Sequence, residues 1–82
     1  MAHQWLIDDY ARKMRMAGIP ADKARVLARL AAELEENQTL WNRIKSEGFS
    51  GFSRWIEINC RNIYEDIKYA LRIVWEVLKS LL

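Results

Sequence analysis

The sequence predicts an all-α protein of three helices, over residues 4–17, 20–47 and 53–82. Apolar residues recur every three or four positions along most of the chain, which is the period of an amphipathic helix. The three Gly and one Pro fall at two points, Gly18-Ile19-Pro20 and residues 47–53, where we expect turns. With 51% hydrophobic residues and four Trp, the 82 residues are expected to form one folded domain rather than a disordered segment.

The first helix is predicted from Gln4 to about Ala17. Its acidic residues lie toward the start and its basic residues toward the end, the distribution that the helix dipole favours. Gly18 suits the left-handed position that ends a helix, and Pro20 suits the first turn of the next one. The apolar stripe has spacings of four, four and three residues and comprises Leu6, Tyr10, Met14 and Ala17.

A second helix is predicted from Pro20 to Glu47, where neither Gly nor a further Pro interrupts the pattern. One continuous helix of about 40 Å explains the apolar spacing. The alternative is a break at Asn37-Gln38-Thr39, where Asn37 or Thr39 would cap a short additional helix. Continuity is the preferred interpretation. The apolar stripe comprises Leu27, Leu30, Leu34, Trp41 and Ile44.

The third helix is predicted to begin at Ser53, the N-cap that follows a loop over residues 47–53, and to continue to about Leu82. Its apolar residues alternate at spacings of four and three without interruption, which is a heptad seam. The opposite side is charged and is expected to face water. The seam comprises Ile56, Cys60, Ile63, Ile67, Ala70, Val74, Val77 and Leu81.

These helix lengths predict self-association. A helix of about 30 residues is about 45 Å long, whereas a compact monomer of this size has a radius of gyration of roughly 12 Å. We therefore expect the two long helices to form an antiparallel hairpin that the short first helix covers only in part. A homodimer would then complete a helical bundle. The alternative is a compact monomer in which the second helix is broken and the last one is kinked.

The sequence holds no recognisable catalytic, cofactor-binding or metal-binding pattern, and we predict that the protein is not an enzyme. His3, the single histidine, lies near the chain end, where a catalytic base is poorly held. Cys60 lies on the apolar seam and is interpreted as a small core residue rather than a nucleophile. Gly48 and Gly51 lack the lysine and the preceding strand of a phosphate-binding loop.

Positive charge and aromatic residues concentrate around the second turn. Residues 37–61 contain four basic and two acidic residues, giving 4 − 2 = +2, which is the whole net charge of the chain. Aromatic and arginine side chains are typical anchors of binding interfaces. The alternative is that the aromatic residues close the end of the hairpin. The predicted partner-binding residues are Trp41, Arg43, Lys45, Phe49, Phe52, Arg54 and Trp55, with Phe49 as the preferred exposed anchor.

The predicted function is a non-enzymatic protein–protein interaction module, such as an adaptor, inhibitor or regulator, which dimerises and docks on another protein. The alternative is a regulator that binds nucleic acid through Arg43, Lys45, Arg54 and Arg61, although the positive bias is mild for that class. A third hypothesis is a peripheral membrane protein that uses residues 69–82, whose polar face is atypically acidic. A single cysteine forms no internal disulfide, and the expected location is therefore a reducing cytoplasm.

Overall fold

The computed structural model describes residues 4–82, and these are almost entirely helical. No strand occurs among them, so the predicted all-α class is confirmed for this part of the chain. The division into three helices is wrong, because both long helices are interrupted. The elements are α1 (Gln4–Met16), α2 (Ala21–Glu36), α3 (Gln38–Asn59), α4 (Arg61–Ile67), a 3₁₀ turn (Lys68–Ala70) and α5 (Leu71–Leu81).

The turn between α1 and α2 has the glycine-terminated form that the sequence predicts. Gly18 has φ 101°, and its N–H donates to the Arg15 carbonyl at 2.9 Å. The N–H of Ile19 donates to the Met14 carbonyl at 3.1 Å, which completes a Schellman motif. Pro20 is the N-cap of α2 rather than its first helical residue.

The pair α1 and α2 is built around small side chains. Five alanines of these two helices are fully buried, and side chains of this size let helix backbones lie close together. At the edge of this pair, the Tyr10 hydroxyl donates to Glu35 Oε2 at 3.0 Å. Arg25 also forms an ion pair with Asp8 at 3.0 Å. The buried alanines are Ala11, Ala24, Ala28, Ala31 and Ala32.

The predicted continuous helix over residues 20–47 is wrong, and the alternative break at Asn37 is confirmed. Asn37 leaves the helical region, with φ −125° and ψ 75°. Its backbone N–H donates to the Leu34 carbonyl at 3.1 Å, and its side-chain Oδ1 accepts from the N–H of Leu40 at 3.2 Å. One asparagine therefore both ends α2 and caps α3.

The predicted loop over residues 47–53 shrinks to a single residue. Gly48 has φ 73° and ψ −162°, a conformation that is essentially restricted to glycine, and helix resumes directly after it. Ser53 therefore lies inside α3 and is not an N-cap. Gly48 divides α3 into a first arm, residues 38–47, and a second arm, residues 49–59. The predicted hairpin of two long straight helices is not formed.

The predicted helix over residues 53–82 is also broken, at Cys60 and at the 3₁₀ turn. A strict seven-residue repeat drifts by about 20° per heptad around a straight helix, which a coiled coil absorbs by supercoiling. Here the breaks redirect the chain, and most of the seam still faces the core of this one molecule. Ile56, Cys60, Ile63, Ile67 and Val74 are buried, whereas Ala70, Val77 and Leu81 are half-buried.

The core is closed by α5, which packs against both arms of α3. The Trp75 indole lies edge-on to Trp41, with ring centroids 5.7 Å apart, and stacks on Phe52 at 5.0 Å. The radius of gyration is 11.5 Å, and the principal extents are 28 × 27 × 21 Å. A straight helix of about 45 Å would not fit within these extents. The single chain therefore has the broken and kinked form that was the alternative to long helices.

Candidate functional site

The two arms of α3 face one another across an open groove of about 280 Å³. On each arm the lining residues have the spacing i, i+3, i+4, i+7, so one face of each helix forms one wall. Every lining residue of the first arm has its counterpart eleven positions later. The first wall comprises Leu40, Arg43, Ile44 and Glu47, and the second comprises Gly51, Arg54, Trp55 and Ile58.

Gly51 forms the closed end of the groove. This glycine is buried within the second arm, and a Cβ placed on it would collide with the Cβ of Glu47 on the first arm. A residue with a side chain would therefore force the arms apart where they approach each other. Gly48 supplies the turn and Gly51 supplies the space, so these two glycines together shape the groove.

The apolar residues of the groove form a floor and an exposed edge. Ile44 is buried, Leu40 and Trp55 are half-buried, and Ile58 has 68% of its surface exposed. Exposed large apolar side chains are informative when they adjoin a concave surface, because burying them on a partner gains free energy. Ile58, Leu40 and Trp55 offer such a surface.

The rim of the groove carries two arginines and one glutamate, a net charge of 2 − 1 = +1. Arg54 Nη1 lies 3.5 Å from Glu47 Oε1, and the two side chains are 66% and 50% exposed, respectively. Such a long, exposed pair contributes little to stability. Within residues 4–82, the Arg43 side chain forms neither an ion pair nor a hydrogen bond, and its charge faces solvent beside the apolar floor.

Three of the predicted partner-binding residues, Arg43, Arg54 and Trp55, do line this groove. Trp41 and Phe52, which the sequence predicts as contact residues, are both fully buried against Trp75 and do not line the groove. They lie on the faces of the arms that pack on α5. The indole N–H of Trp41 has no acceptor among the described residues, although a buried indole N–H usually has one.

Phe49 and Lys45 lie outside the groove. Phe49 is half-buried, and the guanidinium carbon of Arg72 lies 4.2 Å from its ring centroid, so the ring is not the freely exposed anchor that the sequence predicts. The Lys45 ammonium lies over the buried Trp41 ring, 5.7 Å from the ring centroid. Their aromatic and basic character contributes to the fold.

Only two of the four basic residues of the predicted nucleic-acid patch line the groove. Arg43 and Arg54 belong to the groove, Lys45 covers Trp41, and Arg61 begins α4 without lining the groove. Sequence reasoning missed Leu40, Ile44, Glu47, Gly51 and Ile58 as groove residues. The available signal was the i, i+3, i+4, i+7 spacing, repeated eleven residues later across a glycine.

Two buried groups with reactive heteroatoms lie outside the groove. Burial, and to a smaller extent the charge of Glu33, raises the pKa of the Cys60 thiol, which disfavours the nucleophilic thiolate. Burial, followed by the hydrogen bond to Glu35, raises the pKa of Tyr10 to about 12. Cys60 is buried in the core, and the Tyr10 hydroxyl donates to the Glu35 carboxylate. His3 lies outside the described residues.

On α5, Trp75 and Leu78 are buried in the core. Much of the apolar face that the sequence suggests for membrane binding is therefore packed against other residues of the same chain. No helix within residues 4–82 has the length and apolar character needed to span a membrane. In that same range no cluster of three or more His, Cys, Asp and Glu residues could hold a metal ion.

The chain was compared with protein family models, curated proteins and solved structures, and none of them matches it.

Proposed function

We propose that the protein is a non-enzymatic protein-binding module that docks a segment of its partner in the groove between the arms of α3. The observation that carries this proposal is that one groove is lined both by the exposed Ile58 and by Arg43, an arginine that has no ion pair within residues 4–82. Apolar anchors with arginine beside them are typical of the residues that dominate protein interfaces. Regulation, inhibition or bridging of that partner are the roles that such a module would serve.

The size and rigidity of the groove support a macromolecular ligand. Its volume of about 280 Å³ lies just under the roughly 300–1,000 Å³ of pockets that enclose small molecules. It is also open to solvent rather than enclosed, so side chains of a longer segment suit it better than a small, fully enclosed ligand. Both arms are held by Trp75, and a preformed site loses little entropy on binding.

Nucleic-acid binding is the weaker alternative. It requires several cations along one surface, whereas Arg54 is paired with Glu47 and Lys45 covers Trp41. Phosphate contacts make affinity fall steeply with salt, whereas an apolar anchor beside one arginine gives a shallow dependence. Titration of a labelled single-stranded oligonucleotide at several salt concentrations would distinguish the two.

The test is selection of a displayed random-peptide library on the intact chain, followed by affinity measurement on two variants. Ile58→Asp places a charge at the exposed apolar edge of the groove. Ile73→Asp is the matched control, because Ile73 is 47% exposed on α5 and does not line the groove. We expect Ile58→Asp to weaken binding of the selected peptides at least about tenfold, as for a hot-spot residue. Peptides that bind both variants and the parent chain equally would contradict the proposal.

A further inference from the structure

We propose that the groove selects acidic, apolar segments: a partner carboxylate pairs with Arg43 while an apolar side chain lies on Trp55 and Ile58. This inference rests on the proposed function and adds the chemistry of the ligand. Electrostatic complementarity fixes which partners are accepted more than it fixes raw affinity. A groove with a rim charge of 2 − 1 = +1 therefore favours a negatively charged segment over a basic one.

Arg43 is the primary contact for the carboxylate. A guanidinium presents five N–H donors in a planar fork that matches the two oxygens of a carboxylate. No acidic side chain of residues 4–82 occupies that fork. Because Arg43 shares its helix face with Leu40 and Ile44, a carboxylate bound to it would lie beside apolar surface, where water screens the pair less than on an open rim.

Glu47 and Arg54 lie toward the closed end of the groove, where Glu47 meets Gly51. Their separation of 3.5 Å is longer than the roughly 2.7–2.9 Å of a strong charge-assisted hydrogen bond. Glu47 lies one helical turn after Arg43 on the same wall, and it would repel a carboxylate placed next to it. The acidic group of the ligand is therefore expected toward Arg43 rather than toward Glu47, which gives the bound segment a preferred direction.

The length of the walls sets the length of the ligand. The first arm spans residues 38–47, about 15 Å at the α-helical rise. An amphipathic helix of about three turns, or roughly five extended residues, would cover it. Such a ligand would use the helix-in-groove mode or a short linear motif, both of which bury alternate apolar anchors.

The experiment uses two displayed peptide libraries of identical length and apolar composition, one with only Asp and Glu as charged residues and one with only Lys and Arg. The intact chain is the bait, and fluorescence anisotropy of recovered peptides is the readout. We expect enrichment from the acidic library and roughly tenfold weaker binding to Arg43→Glu, as expected when an attractive charge pair becomes repulsive. Arg29→Glu is the matched control, because Arg29 is exposed on α2 and does not line the groove.

The outcomes separate this inference from the proposed function. Acidic peptides that lose affinity for Arg43→Glu but keep it for Arg29→Glu support the inference. Peptides that depend on Ile58 yet come from the basic library, or bind Arg43→Glu unchanged, overturn the acidic preference and leave the docking groove in place. Absence of any Ile58-dependent peptide from both libraries overturns both. Recovery of basic peptides by Arg43→Glu would add support, because the reversed charge should reverse the preference.

Discussion

The indole of Trp75 stacks on the ring of Phe52, with centroids 5.0 Å apart and ring planes inclined by 26°. The same indole meets Trp41 edge-on, with centroids 5.7 Å apart. Because Trp41 belongs to the first arm of α3 and Phe52 to the second, one side chain of α5 fixes the angle between the arms. The groove between those arms therefore depends on a contact made outside it.

Trp75→Ala is expected to destabilise the protein by about 3–5 kcal/mol, the usual cost of removing a large aromatic ring from a core. Urea unfolding followed by far-ultraviolet circular dichroism measures this change. Tyr69→Ala is the control, since Tyr69 is 91% exposed and its removal should change the free energy of unfolding by less than about 0.5 kcal/mol. Equal effects of the two substitutions would show that Trp75 does not hold the arms.

Gly51→Ala is expected to destabilise the protein, although the same change in an ordinary helix stabilises by up to about 1 kcal/mol. The physical reason is the collision between the new methyl group and the Cβ of Glu47. Thermal unfolding of Gly51→Ala, Glu47→Gly and the double variant tests this in a double-mutant cycle. Because Glu47→Gly removes the obstructing Cβ, the double variant should show a favourable coupling energy. Additive effects would mean that the arms do not meet at this point.

The spacing of apolar residues predicted much of the core, but it did not predict where the helices break and the chain changes direction. Met14, Leu27 and Val74, each on a predicted stripe, are fully buried. Gly18 ends α1 as predicted, since its left-handed conformation has a local cause. The break at Cys60 has no Gly or Pro beside it, so no local signal in the sequence marks it.

The groove could be predicted only in part for a related reason. Arg54 and Trp55 are of residue types that are typical of binding interfaces, and they line the groove. Trp41 and Phe52 are aromatic as well, but they lie on the buried faces of the same arms. Which faces meet depends on the direction in which Gly48 turns the chain. That direction is set by the contact of both arms with Trp75, far along the sequence, and no local pattern reports it.

Stability is expected to fall as pH rises above about 10 through a contribution from Tyr10, whose pKa in the folded protein is raised to about 12. Between these two pH values the unfolded chain loses the phenol proton while the folded chain keeps it, so ionisation favours unfolding. Below the unfolded pKa this contribution is fully present. Tyr10→Phe should weaken the alkaline decline in urea stability relative to the parent chain. An identical decline in both proteins would contradict the raised pKa.

Asn37→Ala is expected to cost about 1 kcal/mol, because it removes the side-chain oxygen that accepts from the N–H of Leu40. Asn37→Asp keeps an acceptor at the helix N-terminus and should retain most of the stability. Thr39→Ala is the control, because Thr39 was the alternative cap and lies within α3. A larger loss from Thr39→Ala than from Asn37→Ala would move the cap to residue 39.

Val74→Glu tests whether the seam is core or a dimer interface. Val74 is fully buried within the single chain, and a carboxylate there should cost on the order of 4 kcal/mol or more, close to the whole stability of a small domain. We therefore expect loss of the helical circular dichroism signal together with an expanded monomer in light scattering. The homodimer stays a prediction, and it requires a mass near twice 9.7 kDa for the parent chain. If Val74→Glu halved that mass while helicity persisted, the seam would be an assembly surface.

Val77→Glu tests for a dimer interface at the end of α5, where Val77 and Leu81 are only half-buried. If the dimer forms there, this substitution should dissociate it without unfolding the monomer.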